Sequence, residues 1–139
     1  MNYPILYLEK GNRSTIIHYA NNIVEEQPYN IDSYLNILCL NELTTLEGRI
    51  KALKYKFNLI KNVPIYINPN LVLFSIKCAI TIDNIYVNSI YIKSISKQDK
   101  KCQIVFYDNN ELIVNSTYIT LKNKYEKCIK IKNQICQSL

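Results

Sequence analysis

The chain has no tryptophan, one histidine, two glycines and four prolines among its 139 residues. Each scarcity removes a class of explanation. With glycine and proline this sparse, a flexible linker has little to be built from. His18 is the single histidine, and none of the five cysteines forms a Cys-x-x-Cys pair, which argues against a zinc site. His18 sits between Ile17 and Tyr19 in an apolar stretch, the setting of a structural histidine rather than a general base. There is no Gly-rich phosphate loop, no nucleophile elbow and no pair of metal-binding histidines, and the acids are scattered. The sequence reads as a non-enzyme that uses no cofactor. No apolar run approaches the roughly 20 residues that cross a bilayer. Met1 to Lys10 lacks the basic start and long apolar centre of a signal peptide. A cytoplasmic location with no membrane partner is therefore expected, with Cys39, Cys78, Cys102, Cys128 and Cys136 as reduced, mostly buried thiols.

What is abundant is apolar side chain and positive charge. Hydrophobic residues make up 48% of the chain, enough for one core, and the length suits a single domain over 1–139. The net charge is +6, unevenly spread. Residues 1–43 hold two bases against five acids, a net of −3, and residues 44–139 hold 15 against six, a net of +9. A basic body suits a polyanion. The same excess also arises from a composition rich in Asn, Lys, Ile and Tyr, so charge alone leaves both readings open.

Tyr3–Leu8 and Thr15–Tyr19 read as strands of a hairpin about Lys10-Gly11-Asn12-Arg13, with Gly11 expected to supply a positive φ. Residues 20–33, with Asn21, Asn22, Pro28, Asn30 and Asp32, read mostly as loop. Tyr34–Leu40 fits a strand or a short buried helix equally well. Val63–Asn68 and Leu71–Ser75 read as strands about an Asn-Pro-Asn turn, and Asn84–Ser96 as one alternating strand. Gln103–Tyr107 and Glu111–Asn115 flank Asp108-Asn109-Asn110 as a hairpin. A helix runs from Ser116 or Thr117 towards Cys136, its apolar side including Leu121, Tyr125, Cys128 and Cys136, with Lys127 and Lys130 turned the other way. The fold class is α+β: a mainly antiparallel sheet with one internal basic helix and a C-terminal helix.

The internal helix carries the candidate site. Thr44 stands three residues before Glu47, the spacing of a capping box, and Leu46, Ile50, Leu53 and Phe57 form one apolar stripe. Gly48 in its first turns costs about 1 kcal/mol against alanine. That residue fits either a close backbone approach or simple tolerance. Arg49, Lys51, Lys54, Lys56 and Lys61 make the most basic cluster, with Tyr55 and Tyr66 nearby. Lysines there suit sequence-neutral phosphate contacts, an arginine suits a narrow A·T minor groove, and tyrosine stacks on bases. The cluster also fits a plain solvated helix flank.

Several segments recur in a familiar order. They are Thr45-Leu46-Glu47-Gly48-Arg49-Ile50-Lys51-Ala52, then Pro64-Ile65-Tyr66-Ile67-Asn68-Pro69, Leu73-Phe74, Asn84-Ile85-Tyr86-Val87-Asn88 and Ile104–Leu121. This set resembles the competence transcription factor family (ComK), over roughly Tyr3 to Lys132. Ser75 stands where the family has a proline and Tyr86 where it commonly has a tryptophan. The resemblance implies an activator that binds AT-rich boxes in double-stranded DNA through the minor groove, as a homo-oligomer. It implies Gly48 and Arg49 as the recognition pair, with Lys51 and Lys54 on phosphates; the basic cluster itself adds Tyr55, Lys56 and Lys61 to the expected DNA-binding residues. It further implies a regulatory adaptor protein as a partner, although the sequence ends at Leu139, short of the longer tail through which some members are thought to be recognised. A weaker similarity over Tyr86–Tyr125 is to the LytTR family of DNA-binding domains. The reading from a different class is an interaction paralogue that has lost DNA binding and acts on a full-length relative.

Overall fold

The computed structural model describes residues 3–79 and 83–137. Six strands form one antiparallel sheet in the order β3-β2-β1-β6-β5-β4: Ile5–Lys10 (β1), Thr15–Tyr19 (β2), Ile23–Gln27 (β3), Ile65–Asn68 (β4), Leu71–Lys77 (β5) and Asn84–Asn88 (β6). Ile92–Gln98 (β7), Lys101–Phe106 (β8) and Glu111–Val114 (β9) form a second antiparallel sheet. Among the described residues there are three α-helices: Ile31–Leu40 (α1), Leu46–Phe57 (α2) and Tyr118–Gln137 (α3). The architecture is the α+β arrangement expected, with α1 as a further internal helix.

Side chains alternate across the six-stranded sheet and feed two cores. Val72, Phe74 and Ile76 of β5 and Ile85 and Val87 of β6 face Leu121, Cys128 and Ile131 of α3 and Ile104, Phe106 and Val114 of the small sheet. Leu71 and Leu73 of β5 and Ile65 and Ile67 of β4 point the opposite way, onto Tyr34, Leu35 and Cys39 of α1. Leu6 and Leu8 enter opposite cores despite their spacing of two, because the β1–β2 register shifts between Ile5 and Tyr7.

Four expectations need correction. Gly11 does not hold a positive φ; Arg13 does, at 56°. A Cβ on Gly11 would lie 2.2 Å from the Ser14 hydroxyl, which donates to Glu26, so the glycine provides room rather than handedness. The stretch 20–33 is not mostly loop. Asn21 and Asn22, at φ 66° and 62°, reverse the chain so that β3 pairs with β2 from Thr15↔Gln27 to Tyr19↔Ile23. Asn84–Ser96 is not one strand: it breaks at Asn88, and a short 3-10 turn over Ser89–Tyr91 hands the chain to the second sheet. The buried Asn88 amide causes the break. Its Oδ1 accepts from the Val72 and Ile90 N–H groups at 3.2 Å each, and its Nδ2 donates to the carbonyls of Ile5 at 2.8 Å and Asn70 at 2.9 Å. Lastly, Thr45, not Thr44, caps α2: its Oγ1 accepts from the Gly48 N–H at 3.0 Å, while Glu47 pairs with Lys51 at 3.0 Å.

The ambiguous stretch before α2 is helical. Asn30 caps α1 by accepting from the Ser33 N–H at 2.9 Å. The Leu46 N–H at the start of α2 donates to Asn36 Oδ1 of α1 at 2.8 Å, which fixes the two helices together. Asn58 ends α2 in the left-handed region at φ 54°, its N–H bonded to the Lys54 carbonyl.

Candidate nucleic-acid interface

Helix α2 lies beside β4 at one edge of the large sheet and buries Leu53, with Leu46, Ile50 and Phe57 half-buried. Its stripe is therefore the one read from the sequence. The proposed site residues do not share one face. Gly48, Lys51, Lys54 and Tyr55 are exposed, Tyr55 at 89%. Among the described residues, and outside the helix's own backbone, a Cβ on Gly48 would meet the Thr45 hydroxyl at 3.1 Å and the Thr44 hydroxyl at 3.4 Å.

Arg49 stands on the inner flank. Its guanidinium carbon lies 5.8 Å from the centre of the Tyr66 ring on β4, and its Nε is buried with no hydrogen-bond partner among the described residues. The arginine also stands near the Cys39 thiol: burial pushes that thiol up and the positive charge partly offsets it. Burial, chiefly, likewise raises the Tyr66 phenol, with the Cys136 thiol beside it adding to the rise and Arg49 opposing it.

Lys56 follows Arg49 by two turns on the same flank and lies 5.8 Å from the Phe57 ring centre. It opens onto a cleft of about 480 Å³ between the end of α2 and α3, where Lys127 and Lys130 face it, together with Glu126. Lys127 also lines an adjoining cavity of about 200 Å³ with Asn62, Ser75 and Lys124. Lys124 donates to the Ser75 carbonyl at 2.7 Å, and burial lowers its pKa. Lys61 is exposed in the loop between α2 and β4. Among the described residues, none of Lys54, Lys56, Lys61, Lys127 and Lys130 has a carboxylate within 4.0 Å. These charges are therefore free to meet an external anion.

A family model described as "ComK protein" matches residues 6–139, nearly the whole chain. The chain belongs to the ComK family. Membership makes it a competence-type transcription factor in general terms. No curated protein and no solved structure is matched. In this ComK-family chain no helix among the described residues is long and apolar enough to cross a membrane.

Sequence reasoning missed the contribution of α3. Lys124, Lys127 and Lys130 recur every three residues, a helical-face spacing that sets them along one side. The signal was present, but only the fold shows that this side borders α2 rather than open solvent. His18 packs between charged and aromatic neighbours. Its Nε2 lies 2.6 Å from Glu9 Oε1, and its ring stacks on Tyr7 with centroids 4.1 Å apart.

Proposed function

We propose that this ComK-family protein is a cytoplasmic transcriptional activator that binds AT-rich double-stranded DNA through the face formed by α2 and α3. The observation that carries this reading is the cleft of about 480 Å³ flanked by Lys56, Lys127 and Lys130, while Lys51, Lys54 and Tyr55 are exposed elsewhere on α2. Lysines on two elements can follow two phosphate tracks, and their contacts give affinity without sequence preference.

Selectivity for A·T falls to Gly48 and Arg49 in this proposal. The exposed Gly48 lets a backbone or groove wall come close. Arg49 is half-buried with its guanidinium near the Tyr66 ring, without a carboxylate partner among the described residues. A preorganised, uncompensated guanidinium suits the enhanced negative potential of a narrow minor groove. Homo-oligomerisation is supported by exposed apolar side chains at the α1–α2 turn, Leu40 at 51% and Leu43 at 97%.

The reading is tested by fluorescence anisotropy against two duplexes, one with paired A/T tracts and one GC-rich, at several salt concentrations. Tight binding selective for the A/T duplex is expected. Equal, weak binding to both would reduce the face to a basic surface. No binding at low salt would favour a protein-interaction role.

A further inference from the structure

A second cavity has different chemistry. About 620 Å³ in volume, it opens between α1, the start of β1, strand β3 and the β4–β5 turn, where Asn68, Asn70 and Leu71 line it. Tyr3, Tyr19, Tyr34 and Tyr91 give it four aromatic rings, and Glu25 is the one charged side chain among its lining residues. The Tyr19 and Tyr34 hydroxyls hydrogen-bond to each other, and burial, with the nearby Glu25 charge adding to it, pushes both phenols up. They are neutral at physiological pH, so the charge of this site is negative and belongs to Glu25. That carboxylate accepts from the Gln27 amide and has no cationic partner among the described residues. Aromatic faces around one carboxylate complement an ammonium or guanidinium group on an aliphatic stem.

A second feature identifies what carries such a group. Ile23 and Glu25 line the cavity and also belong to β3, which pairs with β2 alone and forms one edge of the six-stranded sheet. Ile23, Val24, Glu25 and Glu26 are all exposed, Val24 at 58%. An edge strand presents unpaired N–H and C=O groups that accept another extended chain. Antiparallel pairing of β3 with its own copy, centred on Glu25 or on Glu26, sets that carboxylate opposite its symmetry mate, which is unfavourable. An incoming strand that carries positive charge meets the complementary arrangement.

We propose that β3 and the adjoining tyrosine-lined cavity dock an extended, basic segment of a partner protein. The segment adds along Ile23–Gln27 as a further strand and seats one lysine or arginine side chain against Glu25. Strand β3 itself is the edge opposite β4, beside which α2 lies.

The test uses the full chain and a fluorescein-labelled peptide alternating lysine and threonine, with a glutamate–threonine peptide as control. Anisotropy is expected to show binding of the basic peptide only. Glu25→Lys is expected to weaken it at least about tenfold while leaving the urea midpoint unchanged, since Glu25 is exposed. Amide exchange across Ile23–Gln27 is expected to slow in the complex. No binding of the basic peptide, equal binding by Glu25→Lys, or unslowed β3 amides would overturn the proposal. Displacement of the peptide by free spermidine at equal charge concentration would also overturn it, assigning the cavity to a small polyamine instead.

Discussion

Asn88 shows how one side chain can set a chain's course. Its amide meets four backbone groups from four places in the sequence, at the point where the chain leaves the large sheet for the small one. Asn88→Leu leaves two N–H groups and two carbonyls without that partner, and the expected loss is about 3–5 kcal/mol of stability, read from urea unfolding. A loss under about 1 kcal/mol would show that the amide is incidental. Cys128 makes a second claim at this scale. Burial pushes its thiol from 9.0 up to about 12. A raised folded pKa favours the neutral form, so the contribution is complete below the unfolded value and is lost as pH climbs towards the folded one. Urea midpoints are expected to fall between about pH 9 and 12, and Cys128→Ala is expected to flatten that decline. Tyr7, raised to about 12 mainly by burial, adds to the loss above the ordinary phenol range near 10. Arg49→Ala is expected to cost on the order of 1–3 kcal/mol of A/T duplex affinity. Because the arginine is half-buried against Tyr66, the folded state of that variant is checked by circular dichroism. Unchanged affinity in a folded variant would remove Arg49 from the interface.

At the scale of elements, α2 was the most legible part of the sequence, yet its cap was misread by one residue. Two threonines stand side by side before Leu46, and spacing to Glu47 favours the first, whereas the hydroxyl that reaches the Gly48 N–H is the second. Thr45→Ala is therefore expected to destabilise by about 1 kcal/mol, and Thr44→Ala by much less, in thermal or urea unfolding. Equal effects would return the cap to Thr44. The stripe of α2 and the β8–β9 hairpin were readable because short-range periodicity and turn chemistry specify them. Strand β3 was not, because an exposed edge strand has no buried face to impose alternation, and its Glu25-Glu26 pair looks like loop. The break at Asn88 was hidden for a related reason: alternation continues through Asn84–Ser96 in the sequence, while the reason to stop lies in backbone groups of β1 and β5 distant along the chain. Tyr34–Leu40 remained ambiguous because a short apolar run fits either period; the Asn30 cap, with its bond to the Ser33 N–H, is the local feature that separates them.

At the scale of the whole molecule, the asymmetry of charge along the sequence becomes an asymmetry in space. The acidic Glu25 and Glu26 stand on the β3 edge, and Lys56 of α2 meets Lys127 and Lys130 of α3 across one cleft. The sequence exposed that asymmetry but placed the basic site on α2 and the loop after it, since nothing local indicates that Lys127 and Lys130 border Lys56 across a cleft. Codon-driven enrichment in lysine would scatter charge; the proposed function requires that these lysines act together. The measurement that separates the two is the salt dependence of A/T duplex affinity for the wild-type chain and for a Lys56→Gln, Lys127→Gln, Lys130→Gln triple variant. Each phosphate contact contributes about 0.9 to the slope of log affinity against log salt. The account predicts a slope shallower by roughly 2–3 in the triple variant, with the wild-type preference for A/T retained. An unchanged slope in a folded variant would contradict it and place the DNA elsewhere on the protein.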